Sequence, residues 1–514
     1  MVQGGWRVET FWGCFLQILS WPYIGFLAGG TVMGLLLGVI PGLGGITILT
    51  MLLPLTYTMN FNYAIVLMSA LLAVTVTSDT IPTILIGIPP TASASATLLD
   101  GHAMAAKGEP ARALGASYTS SIIGGLIGAI SLGMAVPVLR PIAAAFGPPE
   151  IFMVALWGLS MIGALSSGSV TKGLTAGFLG ILLGTIGRAP TSGIYRFSFD
   201  IPYLIDGINI VPLSLGLFAI PEVIKLAIEK STTTGKGFRG HLLRGQIQGM
   251  LDVMRHWFLL LRTSLIGVWI GIVPGVGSVT ADWFAYAHAV ETAKDRSQFG
   301  KGDVRGIIAP ESSNNSCKGG DFIPTLAFGV PGSASMAILL GAFLIAGIHP
   351  GPNMLGKDVG ITYRIVWALA LANVIGGGIC LIFTSQIAKI IYLPKHFLIS
   401  LITPFLIIAV FMGARNPADI CVMIIFGLIG FGMKKCGWPR PPMVVGFVLA
   451  ELTEWNLVVS VQLMGMAWIL RPMVIAMIAI FILNQVYTSI RERRIAKTLG
   501  KERVQREETE EDEA

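Results

Sequence analysis

The chain has 514 residues, 54% hydrophobic and only 12% charged, with a formal net charge of +7 and a mean hydropathy of +0.75. A soluble fold of this length needs a large polar shell, so this composition excludes one and requires a polytopic membrane protein. The basic excess falls in loops and tail, as membrane proteins distribute it, and no nucleic-acid partner is expected.

The opening "MVQGGWRVETFWGC" carries one arginine, one glutamate and no small-residue cleavage site, so no cleavable signal peptide is expected. Apolar stretches then predict spans near 23–40, 44–59, 62–77, 114–139, 149–169, 172–187 and 207–229. The segment around 80–99 reads as a re-entrant hairpin, leaving an odd number of crossings before the second half begins near Trp257. The expected organisation is a first transmembrane repeat (1–229), a basic cytoplasmic linker (230–256), a second repeat (257–490) and a charged cytoplasmic tail (491–514). Lys230, Lys236, Arg239, Arg244 and Arg255 place the linker inside, and the basic tail follows the same rule before ending in "EETEEDEA".

Four motifs recur in order. "GVIPGLGG" (38–45) returns as "GIVPGVGS" (271–278), and "DTIPTILIGIPPTAS" (79–93) as "DFIPTLAFGVPGSAS" (321–335). "SIIGGLIG" (121–128) resembles "NVIGGGIC" (373–380), and "GILLGTIG" (180–187) more weakly "GFGMKKCG" (430–437). The offsets are 233, 242, 252 and 250. The fold expected is therefore an all-α membrane protein of two homologous repeats, inverted by the odd span count, with broken or re-entrant helices near 80–99 and 323–340.

The proline-threonine-glycine-proline segments should interrupt their helices, because each proline lacks a donor and clashes with the preceding turn. Freed carbonyls are tolerated at membrane depth only inside protein or beside water; a kinked packing helix is the plainer alternative. A glycine turn followed by a new helix start offers free N–H groups and partial positive charge to an anion. Gly42, Gly44, Gly275, Gly277, Thr91, Ser93, Thr325, Gly332, Ser333 and Ser335 are the expected donors, with Ser333 or Ser335 as helix cap. Asp79 and Asp321 occupy matching positions; intramembrane carboxylates are usually functional, and here a coupling cation, Na⁺ or H⁺, is the expected role against that of a capping aspartate. Asn314 and Asn315 in "APESSNNSCKGGD" join that polar set, Asn314 as a third group near Na⁺, unless the stretch is a polar surface loop. Lys318 either neutralises Asp321 or meets a substrate carboxylate.

Cys14, Cys317, Cys380, Cys421 and Cys436 are scattered without a CxxC pair, and the six histidines form no pair at metal spacing. There is no GxxxxGK[ST] and no HExxH, so neither ATP drive nor a zinc protease is supported. A secondary transporter is expected, not an enzyme, with no cofactor beyond the coupling ion; a channel is the competing class.

"GVIPGLGG", "LLDGHAMAAKGEPARALG" (98–115) and "APESSNNSCKGGDFIPTLAFGVPGSASMAILLGAF" (309–343) together resemble the large membrane subunit, TctA-type, of tripartite tricarboxylate transporters. The resemblance implies ion-driven uptake of an organic carboxylate across the bacterial inner membrane, with a periplasmic substrate-binding protein and a small four-span membrane subunit as partners. A carrier or channel without a binding protein is the alternative. Asp79 stands where the family usually has a small residue, Pro90 where it has glycine, and Lys318 and Asp321 where small or apolar residues are common. Citrate therefore does not transfer as the substrate.

Overall fold

The computed structural model describes residues 8–40, 44–165, 170–228, 242–275, 277–392, 395–414, 416–479 and 482. In chain order the first half comprises α1 (Val8–Leu19), α2 (Tyr23–Gly38), α3 (Gly45–Leu52), α4 (Phe61–Ser78), α5 (Thr80–Ile86), α6 (Ser95–Ala106), α7 (Pro110–Ala145), α8 (Pro148–Leu165) and α9 (Val170–Gly184). A short hairpin, β1 (Gly187–Arg188) and β2 (Tyr195–Arg196), precedes α10 (Pro202–Ile205) and α11 (Ile210–Ile228). The second half comprises α12 (Leu242–Arg255), α13 (Trp257–Ile272), α14 (Gly277–Thr292), α15 (Arg305–Phe328), α16 (Ala334–Ile345), α17 (Val359–Ala388), α18 (Lys395–Ala414), α19 (Ala418–Lys435) and α20 (Pro441–Met464). The protein is all-α and polytopic.

Among the described residues five helices are long and apolar enough to cross a bilayer: Phe61–Ile86, Pro110–Ala143, Ile210–Ile228, Val359–Ala388 and Pro441–Leu470. α1 and α2, bent by 70°, make a sixth if taken as one span. Several other expected spans coincide with shorter apolar helices, such as Gly45–Tyr57 and Thr171–Gly184. Leu242–Arg255, inside the expected linker, is an amphipathic helix rather than a loop. It exposes Leu243, Ile247, Leu251 and Met254 along one stripe and buries Gln246, Asp252 and Val253. Residues 229–241 and the tail from 483 lie outside the described residues.

Small residues set the packing. A Cβ at Gly30 would lie 2.3 Å from Leu67 O, so α2 rides directly on the α4 backbone; one at Gly271 would lie 2.5 Å from Cys317 O, where α13 rides on α15. Without side-chain bulk, dispersion contacts between backbones replace the hydrophobic drive that lipid cannot supply. The pairings exchange partners between halves: α11 lies on α19 while α20 lies on α9, and α12 lies on α7 while α1 lies on α17. At the centre is α15, buried from Gly306 to Ala327 despite "ESSNNSCKGGD". It is therefore no surface loop.

The chain turns at glycines after the first proline of each motif, and Pro89, Pro90 and Pro331 lie in the non-helical stretches that follow. Pro82 and Pro324 remain within helical segments, and the chain turns at Gly87 (φ 70°) and Gly329 (φ 70°). Both are left-handed caps, a conformation that only glycine adopts cheaply. Their N–H groups bond to Pro82 O and Pro324 O respectively. One residue past each proline a threonine hydroxyl donates back to the carbonyl four residues earlier, Thr83 to Asp79 O (2.7 Å) and Thr325 to Asp321 O (2.6 Å). These bonds brace the turn around each proline, whose missing N–H leaves Ser78 O and Gly320 O without a helical donor.

Candidate functional site

The two breaks of each half meet. Gly275 N donates to Gly332 O at 2.8 Å, joining the turn after α13 to the turn after α15. A Cβ on Gly277 would approach Ser333 Cβ at 3.8 Å, and one on Gly44 would approach Thr91 Cγ2 at 3.4 Å. Gly44 is the extended N-cap of α3, and Gly275 (φ 83°) and Gly277 (φ 68°) turn the chain into α14. Gly42 lies outside the described residues.

In the first half, Thr91 Oγ1 donates to Asp79 Oδ2 at 2.5 Å and pairs with Ser93 Oγ at 2.9 Å. Thr91 also accepts the Ala94 N–H at 3.3 Å, tying the loop to the start of the next helix. In the second half the corresponding Ser333 occupies the α16 N-cap but makes no side-chain cap; its hydroxyl lies near Asp321 without a hydrogen bond of standard geometry. Ser335 is buried in the first turn of α16. Thr325 Oγ1 accepts Gly332 N–H at 3.1 Å, closing that turn. Asp321 Oδ1 receives a long Cys317 Sγ contact of 3.5 Å, and its Oδ2 is unpartnered.

Asp79 and Asp321 are both completely buried, and neither side chain caps a helix end, so the interfacial capping role expected as the alternative is absent. Lys318 does not form an ion pair with Asp321; its Nζ donates to Ser278 Oγ at 3.2 Å. Asn315 Nδ2 lies within hydrogen-bond distance of Thr77 Oγ1, Asn373 Oδ1 and, more distantly, Ala73 O, so its two protons pin α15 to α4 and α17, while its Oδ1 is unpartnered. Asn314 keeps an unpartnered Oδ1.

Two acids escaped the sequence reading. Glu311, fully buried, accepts hydroxyl bonds from Thr97 (2.6 Å), Ser117 (3.2 Å) and Ser121 (3.1 Å). Asp282 is fully buried on α14, with neither carboxylate oxygen bonded. The signal was available: each is a lone carboxylate among small or apolar residues, in "APESS" and "VTADW". Asp79, Asp282, Glu311 and Asp321 act on one another or on Lys318 electrostatically, so the two halves converge on one charged interior. Taken as ionised, four carboxylates face one lysine, an excess that low-dielectric surroundings make costly unless cations accompany it. Among the described residues no three His, Cys, Asp or Glu side chains group as metal ligands. The oxygens on offer are single carboxylates, amides, hydroxyls and turn carbonyls.

A cavity of about 730 Å³ lies elsewhere, between the end of α9, the β-hairpin and α20, lined by Arg188, Asp206, Glu451 and Glu454 among others. It holds none of the predicted site residues. The buried cluster, with its unpartnered acceptors at the paired helix breaks, is the better candidate.

The tripartite tricarboxylate transporter TctA family matches residues 24–445. An uncharacterized 52.8 kDa protein in the TAR-I ttuC' 3'region of Agrobacterium vitis is 30% identical over 449 residues, covering 85% of this chain and 86% of that protein. An uncharacterized protein in the TAR-II ttuC' 3'region of the same organism is 30% identical over 191 residues, 37% of this chain and 79% of its own length. No solved structure matches. The match runs through both helix breaks and the whole of α15, and the chain belongs to the TctA family of tripartite tricarboxylate transporters.

Proposed function

We propose that this chain is the permease of a binding-protein-dependent system that takes up an organic di- or tricarboxylate across the bacterial inner membrane, coupled to Na⁺ or H⁺. A periplasmic substrate-binding protein and a small four-span membrane subunit are its partners, and the basic 230–256 segment and C-terminus face the cytoplasm. The observation that carries the reading is the completely buried set Asp79, Asp321 and Glu311 beside Lys318, enclosed by two pairs of helix breaks. An anionic substrate entering so acidic an interior is favoured when Na⁺ or protons enter with it, which suits symport. Charges wholly shielded from water are reached only when the bundle opens, which suits alternating access better than a standing pore. The glycine turns at 44, 275 and 277 and the hydroxyls of Ser333 and Ser335 supply the donors, while Thr91 and Ser93 hold Asp79 in place. The motifs recurring in the same order, each with a glycine-capped helix break, support a two-repeat plan, and the odd span count of the first half makes it inverted.

Proteoliposomes containing this chain and its small subunit, with an imposed Na⁺ or proton gradient, test it. Uptake of labelled di- and tricarboxylates should rise when binding protein is added and collapse when the gradient is dissipated. Equal uptake without binding protein would leave a self-sufficient carrier; uptake indifferent to any gradient would leave a channel.

A further inference from the structure

The two halves match in their breaks but not in their charges. At the register of the repeats, Asp282 corresponds to Leu49, Glu311 to Ser69, Asn314 to Leu72 and Lys318 to Val76. Asp79 and Asp321 alone recur in kind.

Asp282 is the least compensated of these groups. Its carboxylate is 0% exposed and neither oxygen has a hydrogen-bond partner. On α14 it lies midway between Ser278 and Tyr286, four residues from each and on the same buried face. Ser278 meets Lys318 near the later part of α15. Tyr286 donates to Asp100 Oδ2 at 2.9 Å, and Asp100 Oδ1 holds the N–H groups of Gly302 and Asp303 at the entry to α15. α14 and α15 therefore run antiparallel, and Asp282 stands opposite the Glu311–Asn314 turn. Glu311 is its strongest charged neighbour. Asn314, 1% exposed, carries the unpartnered amide oxygen of that turn.

We infer that Asp282 and Asn314, with Glu311 beside them, form a monovalent-cation site between α14 and α15 that exists only in the second half. The donors are hard oxygens with one unpaired carboxylate, which suits an alkali cation. Lys318, whose Nζ sits one turn away on Ser278, is one positive charge shared among four buried acids, so Asp282 is only partly compensated, and burying a carboxylate in that state costs several kcal/mol. The site deepens the symport reading, on which it rests, by adding a cation position separate from the matched pair Asp79 and Asp321.

The test is Na⁺ binding by the purified full-length chain in lipid nanodiscs, without substrate or partners, so that it stands or falls independently of uptake. Thermal midpoint and ²²Na⁺ retention are followed against NaCl, with choline chloride holding ionic strength constant. The wild-type chain should show a saturable Na⁺ response. Asp282→Asn should raise the half-saturating concentration at least about tenfold, the effect of losing one charged oxygen partner. Asn314→Ala, which keeps every charge and removes no satisfied hydrogen-bond acceptor, should raise it in the same direction. Glu291→Gln, on the exposed face of α14, should titrate as wild type. Absence of a Na⁺ response in the wild-type chain, or wild-type titration by Asn314→Ala and any folded Asp282→Asn, overturns the inference.

Discussion

Thr91 and Ser333 hold equivalent places at the two helix breaks, yet substitution should separate them. Thr91 has one hydroxyl proton and spends it on Asp79 Oδ2, so Ser93 must be the donor in the Thr91–Ser93 pair. Thr91→Val, nearly isosteric, removes that bond and leaves a fully buried carboxylate with both oxygens bare, since Asp79 Oδ1 has no partner already. A hydrogen bond to a charged group is worth about 1.5–3 kcal/mol, or roughly ten- to a hundredfold in an equilibrium constant. Ser333 Oγ has no partner at standard hydrogen-bond geometry but lies close enough to Asp321 to act on its carboxylate, so Ser333→Ala should cost less stability than Thr91→Val. If its hydroxyl serves the substrate, that variant alone should pair the smaller stability loss with a weakened apparent affinity for carboxylate. Both variants can be followed by thermal unfolding in nanodiscs and by uptake at varied substrate. Equal loss of stability in the two, or wild-type uptake constants in both, would refute the assignment of Thr91 as scaffold and Ser333 as ligand donor.

A Cβ at Gly319 would lie 2.1 Å from Gly128 O, so Gly319→Ala should force α15 off α7 and lower folded yield by overpacking of about 1–3 kcal/mol, whereas Gly378→Ala, with open space around it, should not; size-exclusion profiles decide. Gly329→Ala should cost about 1 kcal/mol through its left-handed cap, read as a lower unfolding midpoint. Glu311→Leu should destabilise far more than Glu311→Gln, because it strands the hydroxyls of Thr97, Ser117 and Ser121, while Glu311→Gln should fold and lose part of its cation dependence of uptake. Cysteines placed at Gly235 and Gln505 should resist an impermeant thiol reagent in intact cells; labelling of either from outside reverses the orientation.

Much of this architecture was legible before any coordinates. Long apolar runs announce α4, α7, α11, α17 and α20 because a bilayer demands them. The repeated Asp-x-Ile-Pro-Thr segments mark where helices end because two halves carry the same interruption. The breaks fall inside the expected 80–99 and 323–340 segments: the first proline of each motif stays helical, and a left-handed glycine followed by Pro89 or Pro331 ends the helix. Asn315 also ties α15 to α4 and α17 through its amide nitrogen, a role its place in a polar stretch did not suggest. Asp282 and Glu311 were overlooked because a single acid in a small-residue helix carries no local pattern. What distinguishes them is the face on which they fall, and helix spacing alone does not say which face is buried when α15 is buried on all sides.

The exchanged packing of α9 and α11 has a consequence for how the protein is made. α9 offers Gly180 to the backbone of α20, where a Cβ would lie 2.0 Å from Met443 O, and that residue is synthesised about 260 residues later. At ~5–20 residues per second, the ribosome needs roughly 10–50 s to deliver the partner. Throughout that interval the first half sits in the membrane with close-fitting grooves open to lipid and to any other nascent helix. α20 therefore acts as a latch on the first half, and truncations that remove it should be cleared by membrane quality control even though they remove no residue of the buried charge cluster.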